Sequence, residues 1–433
     1  MNYSRKRNTF ASKDDNTDSD DSYRKKRKST RSKAPEREII YDSFEDNYKI
    51  LPVIINNNNN NNNDDNDKIK KLIAKVKRSK IDDSIKKMCL DKLNNCDSDN
   101  QKLIEWIESI LKLPFKKYAN LPITINNSQE DIYKYFNQVQ SILDEAVYGL
   151  DTVKEEIINF IAQFISTNNN SSPRIIGLCG EAGVGKTQLV KNGLAKALKR
   201  PMRLMSMGGI RDSSHFVGFD YTYSGSRYGS IAQALIESEI MNPIIFMDEL
   251  DKISNTTDGI DVQNLLIHLT DPVQNMKFQD KYFSGIDIDV SKVVFIFSFN
   301  DVHKINPILK DRIHIINVPT PNDKTKVIIG QKYLVKELIN NIGFKLDDLV
   351  FTEEIVRYII KEHCQKDKGV RNLKRCIETI MLKINTARFI GDKIKYKSLK
   401  NIKLPLTITT NMVDDLIIKE YDERDEIIRS MFC

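Results

Sequence analysis

The stretch Gly180-Glu181-Ala182-Gly183-Val184-Gly185-Lys186-Thr187 decides the fold. It fits G-x-x-x-x-G-K-[ST], a loop whose glycines let the backbone wrap phosphate groups. Its context is the one the motif requires. The apolar run Ile175-Ile176-Gly177-Leu178 precedes it and reads as a strand, while Leu189, Val190, Leu194 and Leu198 follow at helical spacing. A helix that opens directly after the loop points free N–H groups at anions. Residues Gly180, Glu181, Ala182, Gly183, Val184 and Gly185 are thus expected to cradle a nucleotide. Lys186 is expected to contact its β- and γ-phosphates, and Thr187 to ligate magnesium. The expected ligands are ATP and Mg2+.

Working outward, short apolar runs alternate with helical stretches. Strands are expected at residues 174–179, 203–207, 244–247, 293–298 and 314–318. Such runs, separated by helices, imply an α/β architecture: a parallel sheet with crossovers, flanked by helices. The run Ile244-Ile245-Phe246-Met247 ends in Asp248-Glu249. An acid at the C-terminal edge of a strand lies beside the phosphate site of a doubly wound sheet. Asp248 is expected to hold magnesium through water, and Glu249 to polarise the attacking water. Asn300 ends the run Val294-Phe295-Ile296-Phe297-Ser298-Phe299. It reads either as the residue that orients that water or as a turn former.

The flanks read differently. Residues 1–67 are polar, with an unbroken asparagine run at 56–63, and have too few apolar residues to offset the entropy of ordering. Residues 1–40 hold 12 Lys and Arg against 7 Asp and Glu, so most of the chain's net charge of +7 resides there. Within this tail, Arg24-Lys25-Lys26-Arg27-Lys28 reads either as a nuclear-localisation or nucleic-acid patch or as a solvated run. Residues 39–55, with Tyr41, Phe44 and Tyr48, read as a mobile linker or a short docking segment. Helical spacing resumes near Lys68, giving a helical linker region over 68–128. An α/β domain follows over 129–320, opening on an amphipathic helix from Gln129 to Ala146. After Pro321 the spacing is helical again, and 321–433 is expected to form a separate small helical domain. No run of 18 apolar residues appears, and no secretory signal. The six cysteines make no Cys-x-x-Cys pair. The expectation is an intracellular, cytoplasmic protein with no membrane span, and with nuclear residence as the reading of the basic run.

From Tyr148-Gly149-Leu150 to Gly369-Val370-Arg371-Asn372-Leu373 the chain resembles the AAA+ module of Lon proteases. The likeness is carried by Ser206-Met207-Gly208-Gly209-Ile210-Arg211-Asp212, Asp248-Glu249-Leu250-Asp251-Lys252 and Leu269-Thr270-Asp271-Pro272-Val273-Gln274-Asn275, besides the phosphate loop. Phe278, Asp280, Tyr282, Asp289 and Ser291-Lys292 also fall where Lon proteins place similar residues. So do Trp106 and Leu113-Pro114-Phe115 upstream.

The resemblance implies further roles. In Leu309-Lys310-Asp311-Arg312, Arg312 matches the arginine finger that reaches the ATP of a neighbouring subunit, which implies a homo-oligomer, a hexamer. Arg371 matches the second sensor, touching the γ-phosphate from the lid. Tyr223, in Thr222-Tyr223-Ser224-Gly225, matches the loop whose aromatic grips a polypeptide client in a central pore. Tyr148 matches a position near the adenine. Without the resemblance these four read as surface or core residues. Two departures stand out: Ser224 replaces an apolar neighbour of the pore tyrosine, and Glu181-Ala182 replace the usual prolines of the loop. The likeness stops at the lid, without the family's Ser–Lys peptidase domain or its large N-terminal domain. The resulting expectation is an ATP-driven remodelling or unfolding motor without protease activity of its own, working with a client polypeptide and a separate protease. Two rivals are a nucleic-acid motor or loader that uses the basic tail, and a scaffold that has kept only the fold.

Overall fold

A computed structural model describes residues 62–95, 100–168, 173–210, 212–254, 256–400 and 402–417. The basic run, the 39–55 segment, Cys96, Arg211 and Cys433 lie outside them. Three helices come first: α1 Asn62–Arg78, α2 Asp83–Asn94 and α3 Gln101–Lys112. The first begins inside the asparagine run, ahead of the apolar spacing that starts near Lys68. Helix α4, Gln129–Ala146, is capped by Ser128, whose hydroxyl accepts from the Asp131 amide at 3.1 Å. It leads into α5, Asp151–Ser166.

The sheet follows. Strand β1, Ile176–Cys179, passes through the phosphate loop into α6, Lys186–Gln188. That helix continues as a π-helical turn, Leu189–Leu194, and ends as α7, Ala195–Leu198. Next come β2 Met202–Ser206, α8 Ser214–Val217, α9 Ser230–Ser238, β3 Ile244–Asp248 and α10 Thr257–Thr270. The domain closes with β4 Val294–Phe299, α11 Pro307–Arg312 and β5 His314–Asn317. All five strands are parallel, in the order β2-β3-β4-β1-β5.

Helices cover both faces of the sheet, which is why its central strands read as unbroken apolar runs. Alternate side chains enter two different cores. From β4, Phe295, Phe297 and Phe299 enter one, and Val294 and Ile296 the other. The first core also takes Trp106, Ile107 and Ile110 of α3. The N-terminal helices therefore share a core with the sheet.

The lid contains α12 Asp323–Ile329, a π-helical turn Gly330–Leu334, α13 Val335–Ile342, α14 Glu353–His363, α15 Arg371–Ile390 and α16 Thr410–Leu416 around a third core. A short parallel pair, β6 Leu349–Val350 with β7 Leu406–Thr407, adds a feature that the helical reading did not include. Two-residue strands are too short for period-2 alternation to register. Among the described residues no helix is long and apolar enough to cross a membrane.

Candidate nucleotide site

Because β4 lies between β1 and β3, the loop after β1 and the acids after β3 emerge on either side of it, at one edge of the sheet. The loop is glycine-rich for spatial reasons. A Cβ on Gly180 would meet the Val318 carbonyl oxygen at 2.6 Å. Gly183 and Gly185 adopt φ of +79° and +99°, a region that glycine enters without steric cost.

Lys186 is buried, only 8% exposed. Its Nζ donates to the Gly180 carbonyl at 2.5 Å and to Asn300 Oδ1 at 2.8 Å, with the Phe299 carbonyl at 3.4 Å and that of Glu181 at 3.5 Å. Burial lowers its pKa from the ordinary lysine value, and the fields of Asp248 and Asp251 oppose this. A buried ammonium held by neutral oxygens keeps attraction to spare for an anion, so the cradle and its lysine fit the phosphates of ATP.

Asp248 ends β3. Its Oδ1 accepts from the Ser298 hydroxyl of β4 and from the Glu249 amide at 3.0 Å. That leaves Oδ2 of this acid, together with Thr187 at the start of α6, as donors of the oxygen type that magnesium selects. Glu249 has left-handed backbone, φ 62° and ψ 42°, unusual for a residue with a side chain. Its carboxylate rests against Gly208, where a Cβ would meet Glu249 Oε2 at 2.6 Å. Gly208 and Ser298 are contributions that the sequence did not announce as site residues. Asp251 is a third. It is 7% exposed, both its oxygens lack a hydrogen-bond donor, and Lys252 Nζ stands 3.7 Å away. Its signal was its position in Asp-Glu-Leu-Asp, two residues past Glu249.

The lid closes directly on the loop. The Val370 amide donates to the Gly183 carbonyl at 3.1 Å, and Lys368 Nζ reaches Glu181 Oε1 at 2.6 Å. A Cβ on Gly369 would meet the Ala182 carbonyl oxygen at 2.4 Å, and one on Gly183 would meet Arg371 Cβ at 3.0 Å. Arg371, the first residue of α15, therefore stands at the phosphate loop. Tyr148 is near the same region: Val147 packs by Gly185, and the Tyr148 ring lies 6.2 Å from that of Tyr333 in the lid.

Two expected site residues lie elsewhere. Arg312 ends α11, and its guanidinium donates to the Ile267 carbonyl and to Asp271 Oδ2 at 3.0 Å. Tyr223 is 69% exposed on the loop between α8 and α9.

A five-stranded parallel sheet in this order, with a phosphate loop, an acidic strand end and a helical lid, defines an ATPase of the AAA class. Accordingly, the model of the ATPase family associated with various cellular activities (AAA) matches residues 176–320. More particularly, the chain carries a Lon-like AAA+ module. It is 37% identical over 313 residues to a Lon protease homolog of Acanthamoeba polyphaga mimivirus, covering 71% of this chain and 30% of that protein. It is 35% identical over 302 residues to the Lon protease of Acinetobacter baumannii, covering 70% and 34%. With the Lon protease of Mycoplasma genitalium the identity is 30% over 370 residues, covering 83% and 43%. The chain thus spans less than half the length of these relatives.

Proposed function

We propose that these 433 residues hydrolyse ATP within a ring, a hexamer of copies of the chain, and use the energy to unfold or remodel polypeptide clients without cleaving them. The reaction is ATP + H2O → ADP + phosphate. The observation that carries this reading is the convergence of the Lys186 ammonium, the Asn300 amide and the Asp248-Glu249 pair at one edge of the sheet, under the lid.

Each residue has a distinct part. Backbone amides of the loop and Lys186 hold the β- and γ-phosphates, so Lys186 exchanges its bond to the Gly180 carbonyl for phosphate oxygens. Thr187 and Asp248 hold magnesium, which supplies charge neutralisation between the phosphates when bound. Asn300 orients the attacking water and Glu249 takes up its proton. Arg371 approaches the γ-phosphate from the lid, and Tyr148 borders the adenine. Arg312, free of its own phosphate loop, reaches the ATP of the next subunit, while Tyr223 grips the client.

Glu249→Gln separates binding from chemistry. The variant is expected to bind ATP with near wild-type affinity, to lose at least about 99% of phosphate release, and to retain fluorescent casein in the presence of ATP. Hydrolysis near the wild-type rate would overturn the assignment of Glu249.

A further inference from the structure

The loop that carries Tyr223 is fixed at both its base and its tip. At the base, Gly218 and Gly229 bring the two limbs into van der Waals contact. A Cβ on Gly218 would meet the Arg227 carbonyl oxygen at 2.5 Å, and one on Gly229 would meet the Phe216 carbonyl oxygen at 1.9 Å. The fully buried Asp280 accepts the Gly229 amide at 2.8 Å and the Tyr282 amide at 2.9 Å.

The tip is held by helices more than a hundred residues upstream. Lys92 of α2 donates from Nζ to the Tyr221 hydroxyl at 3.0 Å. The same ammonium lies 5.0 Å from the Trp106 ring centroid and 5.2 Å from that of Tyr221, and the two rings stand 5.1 Å apart. Trp106 is itself immobilised, fully buried, with Nε1 donating to the Tyr282 carbonyl at 2.6 Å. Lys102 of α3 donates to the Thr222 carbonyl at 2.8 Å. Tyr221 and Thr222, the two residues directly before Tyr223, are therefore tied to α2 and α3, while Tyr223 itself extends into solvent.

We infer that Lys92, Trp106 and Lys102 are positioning residues that aim Tyr223 at the client. This inference rests on the proposed role of Tyr223 and extends it to the N-terminal helices. A cation set beside two neighbouring rings, with a hydrogen bond to the hydroxyl of one of them, fixes direction as well as distance. Without it the tip is expected to sample orientations unable to grip, so the fraction of competent loops falls and apparent client affinity falls with it.

The test uses the full chain and unfolded casein, with casein-stimulated phosphate release measured against casein concentration. Lys92→Met keeps the aliphatic stem and removes the cation. It is expected to raise the half-saturating casein concentration at least about fivefold while the rate at saturating casein stays within about twofold of wild type. Lys92→Arg, which restores a cation beside the rings, is expected to recover most of the affinity. Tyr223→Ala is run beside them. If Tyr223→Ala weakens casein and Lys92→Met does not, the positioning role is wrong. If neither shifts the casein dependence, the pore-loop reading itself fails and this inference falls with it. A loss at Lys92→Met that Lys92→Arg does not relieve also overturns the positioning role.

Discussion

Glu249 is the residue on which chemistry in this account depends most, and its placement rests on a residue without a side chain. Its left-handed backbone turns the chain immediately after β3, and its carboxylate settles against Gly208. A methyl group at position 208 meets the free end of a flexible side chain, not backbone, so the fold accommodates it by moving Glu249. Gly208→Ala is accordingly expected to keep the wild-type melting temperature and ATP affinity while kcat falls about 10- to 100-fold, the cost of misplacing a reacting group by about an ångström. Stopped-flow nucleotide binding and steady-state phosphate release check both halves. Unchanged kcat would show that Glu249 tolerates displacement. At this scale the sequence was legible where chemistry imposes a motif. Lys186, Thr187, Asp248 and Glu249 could be picked out as candidates because the motifs that carry them hold the residue types that phosphate and magnesium select. Gly208 and Ser298 could not, since each matters through a contact across the sheet edge that spacing along the chain does not encode, whereas Asp251 was signalled only by its place two residues past Glu249.

Among the elements, the segment around Asp280 links the sheet domain to the loop that carries Tyr223. Burial pushes the Asp280 carboxyl up to about 7, against the backbone amides of Gly229, Tyr282 and Phe283, which favour the charged form. A carboxyl whose folded pKa lies above its ordinary value of 3.8 stabilises the fold most when protonated. Its contribution is complete below about pH 4 and is lost as pH rises through about 7, a difference of up to about 4 kcal/mol. The urea midpoint of the wild type is therefore expected to fall between pH 5 and pH 8 more steeply than that of Asp280→Asn, which does not titrate. Parallel pH profiles would remove this role. The strands of the large sheet were legible as apolar runs bounded by turn residues, and α4 was legible as an amphipathic helix because its apolar residues recur at helical spacing. The sharing of a core between α3 and β4 was not, because the apolar face of Trp106 and Ile110 identifies a buried stripe without naming what buries it. The π-helical turns Leu189–Leu194 and Gly330–Leu334 likewise leave no mark in a 3.6-residue period.

For the whole molecule the question is whether one chain suffices. The phosphate loop, its acids and Arg371 gather within one copy, whereas Arg312 is held by Asp271 and the Ile267 carbonyl. If Arg312 completes a neighbour's site, an alanine there leaves the variant's own pocket intact and removes the group it lends. Such a finger is typically worth about 10³–10⁵ in phosphoryl-transfer rate. Lys186→Ala fails for the opposite reason, with a broken pocket and an intact Arg312. Phosphate release separates these cases, measured from Arg312→Ala, from Lys186→Ala and from their mixture under subunit-exchange conditions, with light scattering to record assembly. Two inactive proteins are expected, each forming rings, whose mixture recovers ATPase at junctions that pair an intact pocket with an intact arginine. A fully active Arg312→Ala protein, or a mixture of assembled rings as inactive as its parts, would contradict this expectation.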